Sequence, residues 1–368
     1  MLGTMPPMRI GILTGGGDCP GLNAVIRAAV RAVEVEHRGV TIGFADAWRG
    51  VLDDRWEQLS IARCRGILPR GGTILGTSRD QPYTRPDGVD AVREAVARHE
   101  LDAIVAIGGE GTMGVVSDLH RDGIPVIGVP KTIDNDIAQT EMTFGFQTAV
   151  QICSDAIDRL HTTAESHDRV LVVEVMGRHV GHIAVWAGIA GGATIVLVPE
   201  EPFDLDDVAA RIVARHHHGS WATIVVVAEG AVPVPGTLDI GEPEIDRYGH
   251  EVLGGIGHLV ASEIQQRTGI ESRTTVLGHV QRGGSPVAFD RVLATRFGIA
   301  AVDSVSAALS GAAPFGQMVA LQSGHIVAVP VADAIGHLKV VEPDLLRSAA
   351  ILSAQPAGSP PASELTAG

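Results

Sequence analysis

Short apolar runs recur along the chain, and most of them end in a cluster of glycine and polar residues. These runs predict β-strands near 9–14, 40–46, 103–108, 125–130, 169–176, 193–198, 222–228 and 273–279. Helical periodicity fills most of the intervals, including a long helix from Thr143 to Glu165. Strands that alternate with helices predict parallel sheets that are covered on both faces. We therefore predict an α/β fold.

Three of the predicted strands lead into segments suited to bind phosphate. Residues 14–23 read Thr-Gly-Gly-Gly-Asp-Cys-Pro-Gly-Leu-Asn, and residues 108–112 read Gly-Gly-Glu-Gly-Thr before a helical pattern. Glycine lets phosphate oxygens approach backbone N–H groups, and a helix N-terminus adds a partial positive charge. The third strand ends in Pro-Lys-Thr-Ile-Asp-Asn-Asp at 130–136. Three such turns in one sheet indicate a polyphosphate donor.

The segment 130–136 combines a cation, a hydroxyl, an amide and two carboxylates. Ligands of open α/β sheets bind at the carboxyl ends of strands, so Thr132, Asp134 and Asp136 are expected to face a substrate from alternate positions. One carboxylate would accept a proton from a substrate hydroxyl, while the other holds a metal or a charge partner. A solvated acidic loop is the alternative interpretation of an isolated Asp-x-Asp pattern. The neighbouring glycine turns favour catalysis.

Composition and charge narrow the class of protein. At 368 residues the chain is too long for one ordinary core, so two domains are expected. Three cysteines cannot form a disulfide framework, no leader precedes the first strand, and apolar runs reach only strand length. We therefore expect a cytoplasmic protein without a membrane span. The net charge of −15 argues against nucleic-acid binding, and it requires local cations to capture anionic substrates.

Five motifs in order resemble those of the 6-phosphofructokinase family. They are the three turns above, Val-Met-Gly-Arg at 175–178 and Leu-Gly-His-Val-Gln-Arg-Gly-Gly-Ser-Pro at 277–286. The similarity covers about residues 8–345 and is greatest to the ATP-dependent actinobacterial type in the mixed-substrate subgroup of phosphofructokinase A. It implies ATP-dependent phosphorylation of fructose 6-phosphate at the 1-hydroxyl, with Mg²⁺, by two Rossmann-like α/β/α domains.

The resemblance also implies how the chain divides. Residues 8–145 with 281–332 would form the ATP- and Mg²⁺-binding domain, and residues 146–280 with 333–350 the fructose 6-phosphate domain. The segment 353–368 is rich in Ala, Pro and Ser, and it is expected to be a disordered tail.

Catalytic and donor-side roles follow from the same resemblance. Asp134 is the expected general base, Thr132 would contact the transferring phosphoryl group, and Arg178 would cancel charge in the transition state. Glu110, where many relatives have Asp, and Asp136 are the expected metal ligands. The nucleotide side comprises Gly16, Arg79, Glu110, Gly111 and Thr112.

On the sugar side, the resemblance implies a site shared between subunits. Arg169 and Arg273 resemble two arginines that cross from a neighbouring subunit to the 6-phosphate. We therefore expect a homodimer or homotetramer. The full sugar set is Thr132, Asp134, Arg169, Met176, Gly177, Arg178, Glu229, Arg273, His279 and Arg282.

Two positions bear on the donor and point in different directions. Gly111 lies where ATP users of the family carry Gly and pyrophosphate users carry Asp, which would repel the α-phosphate. Lys131 lies where well-known bacterial ATP enzymes have Gly and pyrophosphate enzymes have Lys. A lysine accommodates either polyphosphate, so we give Gly111 more weight and predict ATP. Pyrophosphate is the alternative.

Other functions fit the motifs less well. NAD kinases and lipid kinases have similar glycine turns but lack the sugar segment at 277–286. A dinucleotide oxidoreductase would need G-x-G-x-x-G after the first strand. A non-catalytic sugar-phosphate binder is disfavoured by the intact Thr132, Asp134, Asp136 and Arg178. Arg27 and Arg31 resemble effector-binding arginines, but His161 replaces a third one, so allosteric control stays undecided.

Overall fold

A computed structural model describes residues 7–217, 222–238 and 254–354. The chain divides into two compact units, with one boundary inside a helix. Unit 1 comprises the residues up to 148 together with 282–339, and unit 2 comprises 149–281 together with the residues from 340 onward. The predicted tail from 353 lies outside the described residues from 355 on, and its first residue ends a helix.

Unit 1 is built on an eight-stranded, mostly parallel sheet. The strand order is β12-β11-β5-β4-β1-β2-β3, and β6 also pairs with β5. Among the strands of this sheet that the structure describes, the β2–β3 and β11–β12 pairs are antiparallel. The strands are β1 (Arg9–Thr14), β2 (Val40–Phe44), β3 (Trp56–Leu59), β4 (Ala103–Gly108), β5 (Val126–Thr132), β6 (Phe144–Gly145), β11 (Gln317–Gln322) and β12 (His325–Pro330).

Both faces of this sheet are buried. On β4, Ile104 and Ala106 join a core cluster with Trp48 and Met113, while the alternate residue Val105 is equally buried on the other face. That periodicity explains the nearly continuous apolar run of the strand. The helices of unit 1 are α1 (Leu22–Glu36), α2 (Trp48–Leu52), α3 (Gly88–Arg98), α4 (Glu110–Arg121) and α9 (Ala288–Leu309).

Helix α9 bears on the expectation that no segment spans a membrane. Its 22 residues are long and apolar enough, by length and composition alone, to cross one, although Asp290, Arg291, Arg296 and Asp303 divide it into shorter apolar runs. In the structure α9 packs on α1 and the sheet, and Phe297 meets the ring of Phe144 edge to face. The buried carboxylate of Asp290 accepts hydrogen bonds from Thr148 N and Oγ1, at 2.8 and 2.5 Å. These contacts are those of a core helix in unit 1.

Unit 2 contains a four-stranded parallel sheet in the order β10-β7-β9-β8. Valines of β7 and β9 pack with Phe203 against α7 and α8, which gives this unit its own core. The strands are β7 (Val170–Val175), β8 (Ile195–Leu197), β9 (Thr223–Ala228) and β10 (Ser272–Val276). The helices are α5 (Phe146–His167), which holds the unit boundary, α6 (His182–Ala190), α7 (Leu205–His217), α8 (Ile256–Thr268) and α10 (Pro343–Ser353).

The α/β prediction with largely parallel sheets is confirmed. All eight predicted strands exist, although the last ends at Val276 and is followed by a 3₁₀ turn over 278–282. Sequence analysis missed β3, β11, β12 and the two-residue β6. Strands β3, β11 and β12 take part in antiparallel pairs at the two ends of the sheet, and β3 and β12 lack the continuous burial of the central parallel strands.

Candidate active site

The three predicted phosphate turns lie at one edge of the unit 1 sheet. Strands β1, β4 and β5 are adjacent and parallel, with Thr14 opposite Ile107 and Gly108 opposite Pro130. The first turn is fixed to the second strand by the Gly15 N–H, which donates to Ile107 O at 2.8 Å. Segments far apart in sequence therefore end side by side, as expected for a ligand site of an open α/β sheet.

Two cations lie against the first glycine turn. Lys131 is buried, and its Nζ donates a hydrogen bond to the carbonyl oxygen of Gly17. Burial lowers the pKa of this ammonium, and the charges of Asp18 and Asp134 oppose that shift. Arg282 Nη1 donates to Asp18 O at 3.4 Å. Gly16 and Arg282, two predicted site residues, thus lie with Lys131 at a turn able to hold an anion.

The second turn is shaped by Thr112. A Cβ at Gly108 would lie 2.1 Å from Thr112 Oγ1, so only glycine fits there without movement. Gly111 is different: it is exposed at the start of α4, and the nearest atom to a Cβ there is Gln81 Nε2, at 3.8 Å. Sequence analysis singled out the exposed Arg79 but missed Gln81, whose amide lies beside Gly111.

Thr132 and Asp134 are joined by a local hydrogen bond at the end of β5. Thr132 Oγ1 accepts from the Asp134 N–H at 3.0 Å, and Thr132 O accepts from Thr143 Oγ1 at 2.8 Å. Both Asp134 and Asp136 are half-buried. The Thr132 hydroxyl therefore fixes the backbone of the candidate base.

Glu110 and Asp136 follow the adjacent strands β4 and β5. Among the residues that the structure describes, no group of three or more His, Cys, Asp or Glu side chains is arranged to hold a metal ion. A pair of carboxylates still fits Mg²⁺, which proteins commonly bind through one or two carboxylates with phosphates and water as the other ligands. The metal role of this pair stays a prediction.

In unit 2, the predicted sugar residues Met176, Gly177, Arg178 and Glu229 lie at the carboxyl end of β7, whereas Arg169 and Arg273 lie at the start of the parallel strands β7 and β10. The Glu229 N–H donates to Val175 O at 2.8 Å, and the Gly230 N–H donates to Gly177 O at 3.1 Å. A Cβ at residue 230 would lie 1.9 Å from Arg178 O. Glycine at 230 is therefore what permits Glu229 to lie beside the Met-Gly-Arg segment.

Gln281 was not singled out from the sequence, although it organises this region. Its side chain is fully buried; Oε1 accepts from the Met176 N–H and from the Cys153 thiol, both at 3.1 Å. Its Nε2 donates to Gly278 O at 3.0 Å. The amide therefore fixes the backbone of Met176 to the 3₁₀ turn that carries the exposed His279.

Arg169 and Arg273 are brought together by a carboxylate that sequence analysis missed. Glu271 accepts from Arg169 Nε at 2.7 Å and from Arg273 Nη2. The bond from Arg169 is the main cause that holds the pKa of Glu271 below its usual range. Two guanidinium groups and one carboxylate together carry a net positive charge, which suits the binding of a phosphate. Their proposed reach into a neighbouring subunit stays a prediction.

A buried carboxylate, that of Glu174, organises another part of unit 2, one residue before Val175. Glu174, on β7, accepts from the N–H groups of Gly255 and Gly257, the latter at 2.8 Å. It thereby satisfies N–H groups at the start of α8. An acidic residue inside an apolar strand was the available signal, because a buried charge needs such partners.

Comparison with known proteins agrees with these motifs. The family model described as "Phosphofructokinase" matches residues 9–305. A Streptomyces coelicolor protein named pyrophosphate–fructose 6-phosphate 1-phosphotransferase is 54% identical over 92% of this chain and 97% of its own length. ATP-dependent 6-phosphofructokinase 3 of the same organism is 53% identical over 91% of this chain and 96% of its own.

Solved structures agree as well. Phosphofructokinase from Pichia pastoris superposes with a TM-score of 0.79 at 28% identity, covering 95% of this chain and 36% of the yeast chain. Pyrophosphate-dependent phosphofructokinase from Marinobacter aquaeolei, with a TM-score of 0.77 at 20% identity, shares the fold over 96% of this chain and 93% of its own. The resemblance found in the sequence is thus confirmed, and the chain belongs to the phosphofructokinase family of phosphotransferases.

Proposed function

We propose that this protein transfers the γ-phosphoryl group of ATP to the 1-hydroxyl of fructose 6-phosphate, giving fructose 1,6-bisphosphate. One observation carries the proposal: the first glycine turn, the Gly111 turn and the Asp134 loop lie at the ends of the adjacent strands β1, β4 and β5, and Lys131 contacts the first turn. Two phosphate-binding turns beside a positioned carboxylate are what in-line phosphoryl transfer to an alcohol needs.

Asp134 accepts the proton of the 1-hydroxyl as that oxygen attacks phosphorus. Its backbone is held by Thr132 Oγ1, which limits the directions the carboxylate can take. Thr132 also contacts the transferring group, and Arg178 neutralises the charge that spreads over its oxygens. When bound, Mg²⁺ would neutralise charge on the donor phosphates, with Glu110 and Asp136 as the residues that hold it.

On the sugar side, Met176, Gly177, Arg178, Glu229, His279 and Arg282 bind the fructose 6-phosphate of the same subunit. Arg169 and Arg273, linked through Glu271, bind the 6-phosphate of a neighbouring subunit. The working form is therefore a homodimer or homotetramer. We place it in the cytoplasm, in keeping with three cysteines that are all free and buried.

The choice of ATP rests on Gly111. A side chain at this exposed position would project into space in which only Gln81 Nε2 comes within 4 Å, and an Asp there would set a negative charge near the α-phosphate. Glycine leaves that space to a nucleotide. The Gln81 amide, a potential donor to a phosphate oxygen, lies beside the same space.

Pyrophosphate is the second candidate donor. Lys131 supports it, because a buried cation against the first turn suits a compact, highly charged anion. Relatives at nearly equal identity bear both names. We propose ATP as the better donor, since a lysine serves either polyphosphate whereas the space at Gly111 is needed by a nucleotide alone.

A coupled assay of fructose 1,6-bisphosphate formation tests this proposal. Purified protein with fructose 6-phosphate and Mg²⁺ is assayed in parallel with ATP and with pyrophosphate, and kcat/KM is determined for each donor. We expect the higher value with ATP. A higher value with pyrophosphate would reverse the donor assignment, and absence of product with both would refute the function.

A further inference from the structure

The loop after β5, residues 133–143, carries the candidate base and is closed on itself by Asn135. This residue is buried and adopts a left-handed conformation with φ of 54°. Its Oδ1 accepts from the Thr143 N–H at 3.0 Å. Asn135 lies between Asp134 and Asp136, so any group that fixes its amide also fixes the two carboxylates.

Lys339 holds this loop from a distant part of the chain. Its Nζ donates three hydrogen bonds, to Asn135 Oδ1 at 2.9 Å, Thr140 O at 2.8 Å and Glu141 O at 2.9 Å. Its N–H donates to Asp136 O at 2.9 Å, next to a bridge between Leu338 and Ile137. The side chain and the backbone of Lys339 thus hydrogen-bond to both the first and the last part of the loop.

The three acceptors form a cradle for a monovalent cation. All are neutral oxygens, one amide and two backbone carbonyls, and an ammonium has three donors to match them. The carboxylate of Glu141 is directed elsewhere, since its Oε1 accepts from the Ser323 N–H at 2.6 Å. These three neutral oxygens contact the ammonium of Lys339, which is half-buried.

Lysine is also scarce in this chain. The sequence contains only Lys131 and Lys339, against 28 Lys and Arg together. Both donate to backbone carbonyls of unit 1 beside the candidate site. Arginine would not replace Lys339, because a planar guanidinium with donors in a fixed fork does not match three oxygens around one point.

We propose that Lys339 is a positioning residue for phosphoryl transfer: its ammonium fills the cradle of Asn135, Thr140 and Glu141 and so keeps Asp134 and Asp136 in their working positions. The inference rests on the proposed function. It predicts that Lys339→Ala lowers kcat, while KM for sugar phosphate and donor changes little, because the residue acts on the geometry of the base.

Chemical rescue tests this proposal. Removal of Lys339 beyond Cβ leaves a space with the shape of n-propylammonium. We expect Lys339→Ala to lose about tenfold to a hundredfold in kcat, the loss that a small misplacement of a catalytic group causes. Added n-propylammonium should restore much of it in a saturable manner, and the bulky tetramethylammonium, which has no N–H donor, should not. Lys339→Met, of similar size without charge, should lose as much.

A control variant and a stability measurement separate the positioning role of Lys339 from a general loss of charge or of folding. Arg93→Ala removes another cation of unit 1 that donates to a backbone carbonyl, Asp122 O at 2.9 Å, outside this loop. This variant should keep the parental kcat, and n-propylammonium should not change it. If Lys339→Ala folds poorly, n-propylammonium should raise its Tm and leave the parent's Tm unchanged, because a ligand of the folded state stabilises it.

Parental kcat in both Lys339→Ala and Lys339→Met would overturn the proposal, as would a loss in kcat or Tm that n-propylammonium does not reverse. The parent enzyme distinguishes the two levels of inference. A parent without fructose 6-phosphate phosphorylation refutes the proposed function, whereas an active parent with an unaffected Lys339→Ala refutes the positioning role alone.

Discussion

The 133–143 loop of unit 1 and the end of β7 in unit 2 carry candidate chemistry in different ways. In the loop, Thr132 and Asp134 are two residues apart and hydrogen-bonded to each other. At the end of β7, Met176 depends on Gln281, which is more than a hundred residues away in sequence. The first region is a contiguous motif, and the second is assembled by buried polar side chains.

Substitutions in the two regions should therefore affect different kinetic constants. A contiguous loop sets the position of the base, so changes there should affect turnover. A region assembled by Gln281, Glu174 and Glu271 would set the shape of the proposed sugar site, so changes there should affect affinity. Changes in the loop should therefore alter kcat, and changes at the end of β7 should alter KM for fructose 6-phosphate.

The largest expected effect belongs to Asp134→Asn. The amide keeps the shape of the side chain but cannot take the hydroxyl proton, so kcat should fall on the order of a hundredfold to ten-thousandfold. Fructose 6-phosphate affinity should stay near that of the parent. Steady-state kinetics and equilibrium binding measure both quantities, and turnover within a few-fold of the parent would refute the assignment.

Next in size is the loss of single arginines at the sugar site. Arg169→Ala and Arg178→Ala should each lose about a hundredfold in kcat/KM, as removal of one charge-stabilising donor typically does. Mixing the two variants under conditions of subunit exchange should restore part of the activity, since hybrids contain sites with both arginines intact.

The matched control is a mixture of Arg169→Ala with Arg273→Ala. Both residues are proposed to come from the neighbouring subunit, so every site in that mixture lacks one of them and activity should not return. If exchange is verified and the first mixture gains nothing, the cross-subunit role of Arg169 is wrong.

A smaller effect is expected at the donor turn. Gly111→Asp should lower kcat/KM for ATP by about tenfold or more, through repulsion of the α-phosphate in a partly desolvated site. KM for fructose 6-phosphate should hardly change, and the ratio of pyrophosphate to ATP use should rise. Gly111→Asn has the same shape without the charge and should lose less. Equal losses in both variants would contradict an electrostatic cause.

The smallest expected effect is that of Gln281→Leu. The substitution leaves the Met176 N–H without its acceptor, and a cost of about 1–2 kcal/mol corresponds to roughly a tenfold rise in KM for fructose 6-phosphate. The donor KM should stay constant. Gln266→Leu, an exposed glutamine on α8, is the control and should behave as the parent. A uniform fall in kcat alone would refute the sugar-side role.

The sequence predicts features that depend on neighbouring residues better than features that depend on distant ones. Strands and glycine turns were predictable, because apolar periodicity and glycine clusters are local signals. Gln281 and Glu271 were not, because their partners are brought close only by the fold. Lys339, which lies in unit 1, was not predictable either, because Asn135 is 204 residues away in sequence. Gln81 escaped notice because nothing in a lone glutamine indicates a donor site.

The most direct test of the account measures kcat and the fructose 6-phosphate dissociation constant side by side in Asp134→Asn and Gln281→Leu. We predict that Asp134→Asn loses at least about a hundredfold in kcat with its dissociation constant unchanged. Gln281→Leu should weaken binding about tenfold while keeping kcat within about threefold of the parent. If both constants move together in both variants, the division between a turnover loop and an affinity region is wrong.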